Sequence, residues 1–247
     1  MLVKSQVKYI QSLGQKKFRD EEGVFIVEGP KMVSELLGVS TLQLLQIYAV
    51  KEWLQTLAGS ALGAAVVTEV KETELGRVST LSTPNQVLAV FKRPVFPPID
   101  PVNSVTLLLD GIQDPGNMGT IVRIADWLGL RQVIASRDSA DVYSAKAVQS
   151  TMGSISRVQV LYEDLPALIG RNRGLPLYAA ILEGESLYTT PRIHRGMIII
   201  GNESRGIREE VLAIKPRGIT IPRIGQAESL NAAVATGIIL SHLLGGG

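Results

Sequence analysis

The sequence of 247 residues has 45% hydrophobic and 19% charged residues, which is typical of a globular protein and sufficient for two domains of ordinary size. The absence of cysteine excludes disulfides, thiolate metal sites and a cysteine nucleophile. No apolar run reaches the roughly 18 to 20 residues that cross a bilayer, and the first residues lack the apolar core of a signal peptide. We therefore expect a cytoplasmic protein that does not enter a membrane.

Positive charge is concentrated at the N-terminus, although the net charge of only +2 does not by itself indicate nucleic-acid binding. No acidic residue precedes Asp20, and the basic residues before it are Lys4, Lys8, Lys16, Lys17 and Arg19. A solvated helix face is the ordinary explanation of such a run. Contact with nucleic-acid phosphates is the functional alternative.

The first part of the chain is predicted to be a small α/β domain. The stretch Val24 to Gly29 is typical of a strand, and Pro30 suits the first turn of a helix that continues to about Leu37. Further strands are predicted in "LQLLQIYAV", "AAVVTEV" and "NQVLAVF". The domain ends at "KRPVFPPIDP", where four prolines in ten residues exclude a helix or central strand. This predicts a domain over residues 1–93, a linker over 94–101 and a second domain over 102–247.

The second domain has a regular alternation of short apolar strands and helices. Strands are predicted in "SVTLLLD", "RQVIAS", "RVQVLY", "LPLYAAIL", "GMIIIG" and "GITIP", with helices at Gly116–Leu128, Ser144–Thr151, Leu165–Asn172, Arg208–Ile214 and Ser229–Leu244. Such alternation predicts a parallel sheet covered on both faces. Ligands bind at the carboxyl ends of the strands in sheets of this kind.

The first unusual strand end is "LDGIQDPGNMGTIVRIADWLG". Turn and cap preferences explain Asp114, Pro115, Gly116 and Asn117. They do not explain Arg123, which lies within about two helical turns of the strand end and suits an anionic ligand such as phosphate.

The second strand end is "MIIIGNESRGI". Its glycines could indicate a phosphate-binding loop, but the Lys-Ser/Thr ending is missing and Glu203 would repel phosphate. A neutral or cationic ligand fits this loop better.

The third stretch is "IPRIGQAESLNAAVATGIIL". Ser229 and Asn231 could cap the final helix, which is the ordinary explanation of polar residues at a helix start. The small residues around them also leave room for a ligand to approach the backbone.

Together, "DPGNMGTIVRIADWLG", "GNESRGI" and "IPRIGQAESLN" resemble the three motifs of the SpoU/TrmH branch of the SPOUT methyltransferases, in the expected order and spacing. The segment "KKFRDEEGVFIVEGPKMVSELL" is similar to the substrate-binding domain that often precedes that catalytic domain and is itself like small ribosomal proteins. Three positions depart from the family pattern: Ile124 replaces a threonine, and Ala232 and Ala233 follow Asn231 in place of Val-Ser.

The resemblance implies methylation of a ribose 2′-hydroxyl in RNA with S-adenosyl-L-methionine as the methyl donor and no metal. Ribosomal RNA is the first expectation and tRNA the second. The implied fold is a parallel α/β sheet with a C-terminal trefoil knot. The family assembles as a homodimer through the knotted region, which implies that Ile238, Ile239, Leu243 and Leu244 of the last helix face a partner copy.

The resemblance also implies the site residues. Asn117, Arg123, Glu203, Ser229 and Asn231 would form the catalytic site. Gly201, Ile221 and Leu230 would contact the cofactor, largely through their backbones. The RNA-binding residues are expected from charge and not from the motifs: Lys4, Lys8, Lys16, Lys17, Arg19 and Lys31 of the first domain would contact RNA phosphates. The two histidines, His194 and His242, are expected to have ordinary surface or interface positions.

Two alternatives remain open at this stage. The chain could be an RNA-binding protein that keeps the fold without catalysis, although the presence of Asn117, Arg123, Glu203 and Asn231 argues against this. It could also be an enzyme of the same fold that methylates a base, although the first and third motifs resemble the ribose-methylating branch.

Overall fold

The structure is a computed structural model that describes residues 2–57, 65–81 and 83–245. The chain forms two compact units. One consists of the residues up to Phe96 together with Tyr143–Ser156, and the other of Pro97–Val142 and the residues from Arg157 onward. The boundary at Pro97 lies within the predicted linker. Residues 143–156, however, cluster with the first unit, whereas the sequence placed them in the second.

The first unit contains a four-stranded sheet with the order β1-β4-β2-β3. Its elements are α1 (Lys4–Ser12), α2 (Lys16–Glu22), β1 (Val24–Glu28), α3 (Pro30–Leu37), β2 (Leu44–Ala49), α4 (Lys51–Leu54), β3 (Val66–Glu69), α5 (Glu72–Leu75), β4 (Val87–Lys92) and α7 (Ala145–Thr151). Strand β4 pairs antiparallel with β1 and β2, and β2 pairs parallel with β3. Helix α7 contacts β1, whose five residues are all buried.

The second unit contains a six-stranded sheet with the order β10-β8-β9-β5-β6-β7, and every adjacent pair is parallel. Its elements are β5 (Val105–Asp110), α6 (Pro115–Trp127), β6 (Gln132–Ser136), β7 (Gln159–Glu163), α8 (Leu165–Arg171), β8 (Leu177–Ser186), β9 (Gly196–Gly201), α9 (Glu209–Leu212), β10 (Arg217–Thr220) and α10 (Ala232–Leu244). All six residues of β5 and the first five of β9 are buried, as expected for central strands covered on both faces. The predicted α/β class with a parallel sheet is confirmed.

Two predicted helices differ from the structure by two or three residues at one end, and the others of the second domain by one residue. Helix α9 ends at Leu212, because Lys215 adopts a positive φ of 61° and Pro216 follows it. Helix α10 begins at Ala232 rather than Ser229, because Asn231 is the capping residue. The strands predicted in both units are present, with ends shifted by a few residues.

Helices that could cross a membrane are not found within the described residues.

Candidate active site at the carboxyl ends of the strands

The site is built from three loops of the second unit. They follow β5, β9 and β10 and lead to α6, α9 and α10, respectively. The first loop is fixed where α6 begins, because the Asp114 side chain accepts a hydrogen bond from the Asn117 backbone N–H at 2.9 Å and Pro115 occupies the first turn. This places the Asn117 side chain at the strand ends.

A chain of side-chain hydrogen bonds joins the three loops. Asn117 Nδ2 donates to Glu203 Oε1 at 2.5 Å, and Asn231 Nδ2 donates to Asn117 Oδ1 at 2.9 Å. Asn231 Oδ1 in turn accepts from the backbone N–H groups of Ala233 and Val234, at 2.9 and 3.2 Å. Both amide groups therefore use their nitrogen as donor and their oxygen as acceptor. The arrangement brings together one residue from each of the three sequence motifs.

The loop that carries Glu203 is a tight turn closed by its own backbone. Asn202 and Gly206 exchange two backbone hydrogen bonds of 2.9 Å, and Asn202 Oδ1 accepts from Ser204 N and Arg205 N at 2.9 and 3.1 Å. A Cβ on Gly201 would lie 2.6 Å from the Gly206 carbonyl oxygen. Glycine at position 201 is therefore required by the turn itself. The family resemblance implies a cofactor contact at Gly201, and the turn supplies an independent reason for the glycine.

Arg123 lies on α6 beyond Asn117 and is not part of the hydrogen-bonded chain. Its side chain is exposed, whereas its neighbours Ile121 and Val122 are buried. Within the described part of the molecule it forms no hydrogen bond or ion pair. The guanidinium is thus available to an anion.

Residues 221–230 form an exposed loop between β10 and α10, in which only Ile221 is half-buried. None of their backbone N–H groups donates a hydrogen bond to another described residue. Leu230 is 46% exposed, and Ser229 is exposed without a hydrogen bond to any residue that the structure describes. Ser229 therefore does not cap α10. The loop has free backbone donors and uncovered apolar groups beside the polar chain.

The predicted RNA-binding residues differ in their surroundings. Lys4, Lys8 and Lys31 are exposed, and so are Lys16 and Lys17, which pair with Asp20 and Glu21 at 2.6 and 3.8 Å. Arg19 is different, because it is only 4% exposed and its Nη1 donates to the Leu13 carbonyl oxygen at 2.7 Å. The structure places Arg19 inside the first unit, so it is removed from the predicted RNA surface.

The last helix does not present all of its predicted contact residues. Ile239 and Leu243 are buried in the chain's own core, which rules them out for a partner, while Ile238 and Leu244 are half-buried. Two other large apolar side chains are exposed on α6 and α10: Trp127, 86% exposed at the end of α6, and Val234, 51% exposed on α10. These two helices pack against each other.

The histidines lie away from the three loops. His242 Nε2 is 3.0 Å from the Thr190 carbonyl oxygen, and its ring packs edge-on against Tyr188. His194 is exposed. The described residues include no group of three His, Cys, Asp or Glu side chains that could hold a metal ion.

Sequence reasoning also missed Asp110, Asn202 and Arg208, which hold the second loop in place. Arg208 Nε and Nη2 contact Asp110 Oδ1, and Asn202 Nδ2 donates to the Gly111 carbonyl oxygen at 2.7 Å. The available signal was an acidic residue at the end of an otherwise apolar strand, but its partner lies 98 residues later.

A parallel sheet with side chains from three loops joined at its carboxyl edge is typical of the ligand-binding sites of α/β enzymes. The chain belongs to the SpoU rRNA Methylase family, whose model matches residues 104–241. Residues 4–89 match a second model, the MRM3-like substrate binding domain. The family resemblance inferred from the three motifs is confirmed.

Relatives match over nearly the whole chain. The 23S rRNA (guanosine(2553)-2′-O)-methyltransferase RlmP of Bacillus subtilis is 32% identical, with 97% of this chain and 96% of that protein covered. A structure from Porphyromonas gingivalis, described as an RNA methyltransferase of the TrmH family, has a TM-score of 0.86 and 39% identity, with 98% of both chains covered. The AdoMet-bound rRNA methyltransferase from Sinorhizobium meliloti has a TM-score of 0.83 and 30% identity, covering 98% of this chain and 95% of that one.

Proposed function

We propose that the protein methylates a ribose 2′-hydroxyl in ribosomal RNA, with S-adenosyl-L-methionine as the methyl donor. The observation that carries the proposal is the hydrogen-bonded chain from Glu203 through Asn117 to Asn231, which joins the three motif loops. Family membership and the named activity of the Bacillus subtilis relative support the same reaction.

The third loop fits the proposed cofactor. The free backbone N–H groups of this loop, which all its residues except Pro222 have, can donate to the adenine and ribose, and Ile221 and Leu230 can cover their apolar faces. The cofactor would supply a methyl group already activated by its bond to a positively charged sulfur. The Glu203 carboxylate is linked through Asn117 to Asn231, where this loop ends, and a carboxylate suits a cationic ligand.

The chain's own residues would position the RNA and stabilise charge. Arg123 would hold the phosphate next to the target ribose and stabilise the negative charge that develops on the 2′-oxygen. A guanidinium does not give up its proton in proteins, so the hydroxyl proton would pass to that phosphate or to water. The positions of the ribose and the methyl donor would be fixed by Asn117, Glu203, Ser229 and Asn231. Such positioning can lower the activation free energy by about 7 to 11 kcal/mol.

The first unit would hold the RNA. Its match to a substrate-binding domain and its exposed lysines Lys4, Lys8, Lys16, Lys17 and Lys31 support this role. The Bacillus subtilis relative, which matches over both units, is named for 23S rRNA. Large-subunit ribosomal RNA is therefore the proposed substrate, with tRNA second.

The proposal includes a homodimer, a trefoil knot and a cytoplasmic location. The exposed side chains of Trp127 on α6 and Val234 on α10, two helices that pack against each other, support a partner copy there. The lack of cysteine suits the reducing cytoplasm. Light scattering at micromolar concentration should give twice the mass of one chain, and a monomer would remove the dimer from the proposal.

The reaction is tested by product analysis. The protein is incubated with labelled S-adenosyl-L-methionine and either ribosomal RNA or tRNA, and the RNA is digested to nucleosides. A 2′-O-methylnucleoside from ribosomal RNA is expected. A base-methylated product would support the base-methylating alternative. Binding of RNA without methyl transfer to either substrate, together with no cofactor binding in calorimetry, would support the non-catalytic alternative.

A further inference from the structure

The loop that carries Glu203 is fastened to β5 by a charged contact. Asp110, the last residue of β5, is 1% exposed. Its Oδ1 accepts from Arg208 Nε at 2.7 Å and lies 2.6 Å from Arg208 Nη2, and its Oδ2 accepts from the Arg208 backbone N–H at 2.8 Å. Both carboxylate oxygens are therefore used by one residue. Side-chain hydrogen bonding to Asp110 correspondingly raises the pKa of Arg208.

The other end of the same loop is fastened to the next residue of the chain. Asn202 Nδ2 donates to the Gly111 carbonyl oxygen at 2.7 Å, and Gly111 N donates to Ser136 Oγ at 2.8 Å. Asp110 and Gly111 thus hold residues 202 and 208, one on each side of Glu203. Since the loop to Asn117 also starts from this dipeptide, the two partners of the Glu203–Asn117 bond share one anchor.

The surroundings of Arg208 argue against direct RNA binding by this side chain. Besides Asp110, its Nη1 lies 3.8 Å from Asp138 and 3.5 Å from Glu210. Three carboxylates around one guanidinium leave a negative local charge, which would repel phosphate. A buried carboxylate without its partner is costly, so the contact also holds Asp110 in place.

We propose that Arg208 and Asp110 are positioning residues, which keep the Glu203 carboxylate against Asn117 by fixing the loop between residues 202 and 208. The inference rests on the proposed methyltransferase function. The effect on the reaction would pass through Glu203, because neither Arg208 nor Asp110 forms a hydrogen bond with Asn117 or Asn231 among the described residues.

The test is a double-mutant cycle read in single-turnover methylation at saturating RNA and cofactor. Arg208→Gln should lower the rate at least about tenfold, since small displacements of positioning groups have effects of this size or larger. The dissociation constant for RNA should change less than about twofold, because the contact touches no phosphate. Arg208→Lys should recover part of the rate by keeping the charge.

The decisive comparison is made in the Glu203→Gln background. If Arg208 acts through Glu203, then adding Arg208→Gln should lower the remaining rate by less than about twofold. The matched control is Arg217→Gln, which removes an exposed ion pair with Glu185 in the same sheet and should leave the rate unchanged. If the double variant lost rate by the product of the two single losses, the two residues would act independently and the inference would be overturned. A rate equal to the parent's for Arg208→Gln, at temperatures where this variant is folded, would also overturn it.

A second readout does not depend on methylation. Hydrogen exchange of the peptide that covers residues 201–208 should be faster in Arg208→Gln than in the parent and the Arg217→Gln control. If the parent methylates no RNA but this exchange increases, then the proposed function fails while the fastening of the loop stands. If hydrogen exchange of residues 201–208 were unchanged in Arg208→Gln, Arg208 would not hold this loop, whatever the methylation rate.

Discussion

Asn231 has two roles, one carried by its side-chain oxygen and the other by its side-chain nitrogen. Its oxygen caps α10 by accepting from Ala233 N and Val234 N, and its nitrogen donates to Asn117 in the candidate active site. The same residue therefore starts a helix and completes the site. An aspartate at this position could do the first and not the second.

Substitution of Asn231 should separate stability from activity. Asn231→Ala should lower the free energy of unfolding by about 1 kcal/mol through loss of the cap, and should also slow methylation. Asn231→Asp should keep the melting temperature near that of the parent and still slow methylation, because the donor to Asn117 is gone. Thermal denaturation and a methylation assay measure the two effects. Equal activity of Asn231→Asp and the parent would contradict the role of the amide nitrogen.

Arg123 is predicted to matter most for the chemical step. Arg123→Ala should reduce the single-turnover rate by at least about a hundredfold, as removal of a fixed charge stabiliser commonly does, with little change in cofactor affinity. Arg123→Lys should recover little, because an ammonium lacks the planar fork of the guanidinium. Calorimetry provides the cofactor control. A rate near the parent value for Arg123→Ala would refute both its role and this placement of the site.

At the scale of residues, sequence motifs anticipated which side chains meet but not how. Asn117, Glu203 and Asn231 could be chosen because their motifs resemble a known family. The sequence could not show that Asn231 and not Ser229 caps α10, since both residue types are good caps and they lie two positions apart. Burial of Arg19 was equally hidden, because its partner is a backbone carbonyl that no sequence pattern marks.

At the scale of elements, the end of β9 shows how a strand becomes a loop that holds a site. Gly201 ends the strand, and the turn between Asn202 and Gly206 folds back against it. The backbone of residues 206 and 207 occupies the space that a side chain at 201 would need. The turn that carries Glu203 can therefore form only because residue 201 has no side-chain methyl group.

Alanine at position 201 should disturb the loop. Gly201→Ala would force a Cβ to within 2.6 Å of the Gly206 carbonyl oxygen, so the turn has to open. A loss of about 1 to 3 kcal/mol in unfolding free energy is expected from such overpacking, together with weaker activity. Gly170→Ala in α8 is the control, since a Cβ there meets nothing within 4 Å. It should be neutral or slightly stabilising in denaturant titration.

Strand and helix positions were predictable because the second unit follows regular hydrophobic patterns. Buried strands such as β5 and β9 appear as largely apolar runs, and Pro115 marks the start of α6. The start of α10 was placed three residues early, because Ser229 and Leu230 are compatible with a helix. Their exposed, unbonded state in the structure could not be derived from composition.

At the scale of the whole molecule, the two sheets divide the proposed work between RNA binding and chemistry. The exposed lysines Lys4 and Lys8 of the first unit have no ion-pair partner among the residues described. They differ in this respect from Lys16 and Lys17, whose charges are partly balanced by acidic neighbours. Lys4 and Lys8 are therefore the better probes of the proposed RNA surface.

Neutralising these two lysines should change the salt dependence of RNA binding. If each contacts one phosphate, Lys4→Gln with Lys8→Gln should reduce the slope of log K against log salt by about 1.4 to 1.8, at about 0.7 to 0.9 per contact. Affinity for the cofactor should be unaffected. Arg173→Gln with Arg195→Gln, two exposed changes in the second unit, is the control. An unchanged slope for the lysine pair would argue against this surface.

The two-unit organisation was predictable from the prolines near residue 97, but the contribution of residues 143–156 to the first unit was not. The alternation of strands and helices assigned α7 to the second sheet by its position in the chain. Its contacts with β1 depend on the tertiary structure, which a local pattern cannot specify.

That discontinuity has a consequence for the order of synthesis. The ribosome releases β1, β4 and the rest of the first sheet well before Tyr143–Ser156, which pack in the same unit. The first unit therefore cannot reach its final form during translation until β5, α6 and β6 have also been made. The contacts of α7 with β1 can form only after that interval, so β1 is synthesised early but acquires its complete set of contacts late.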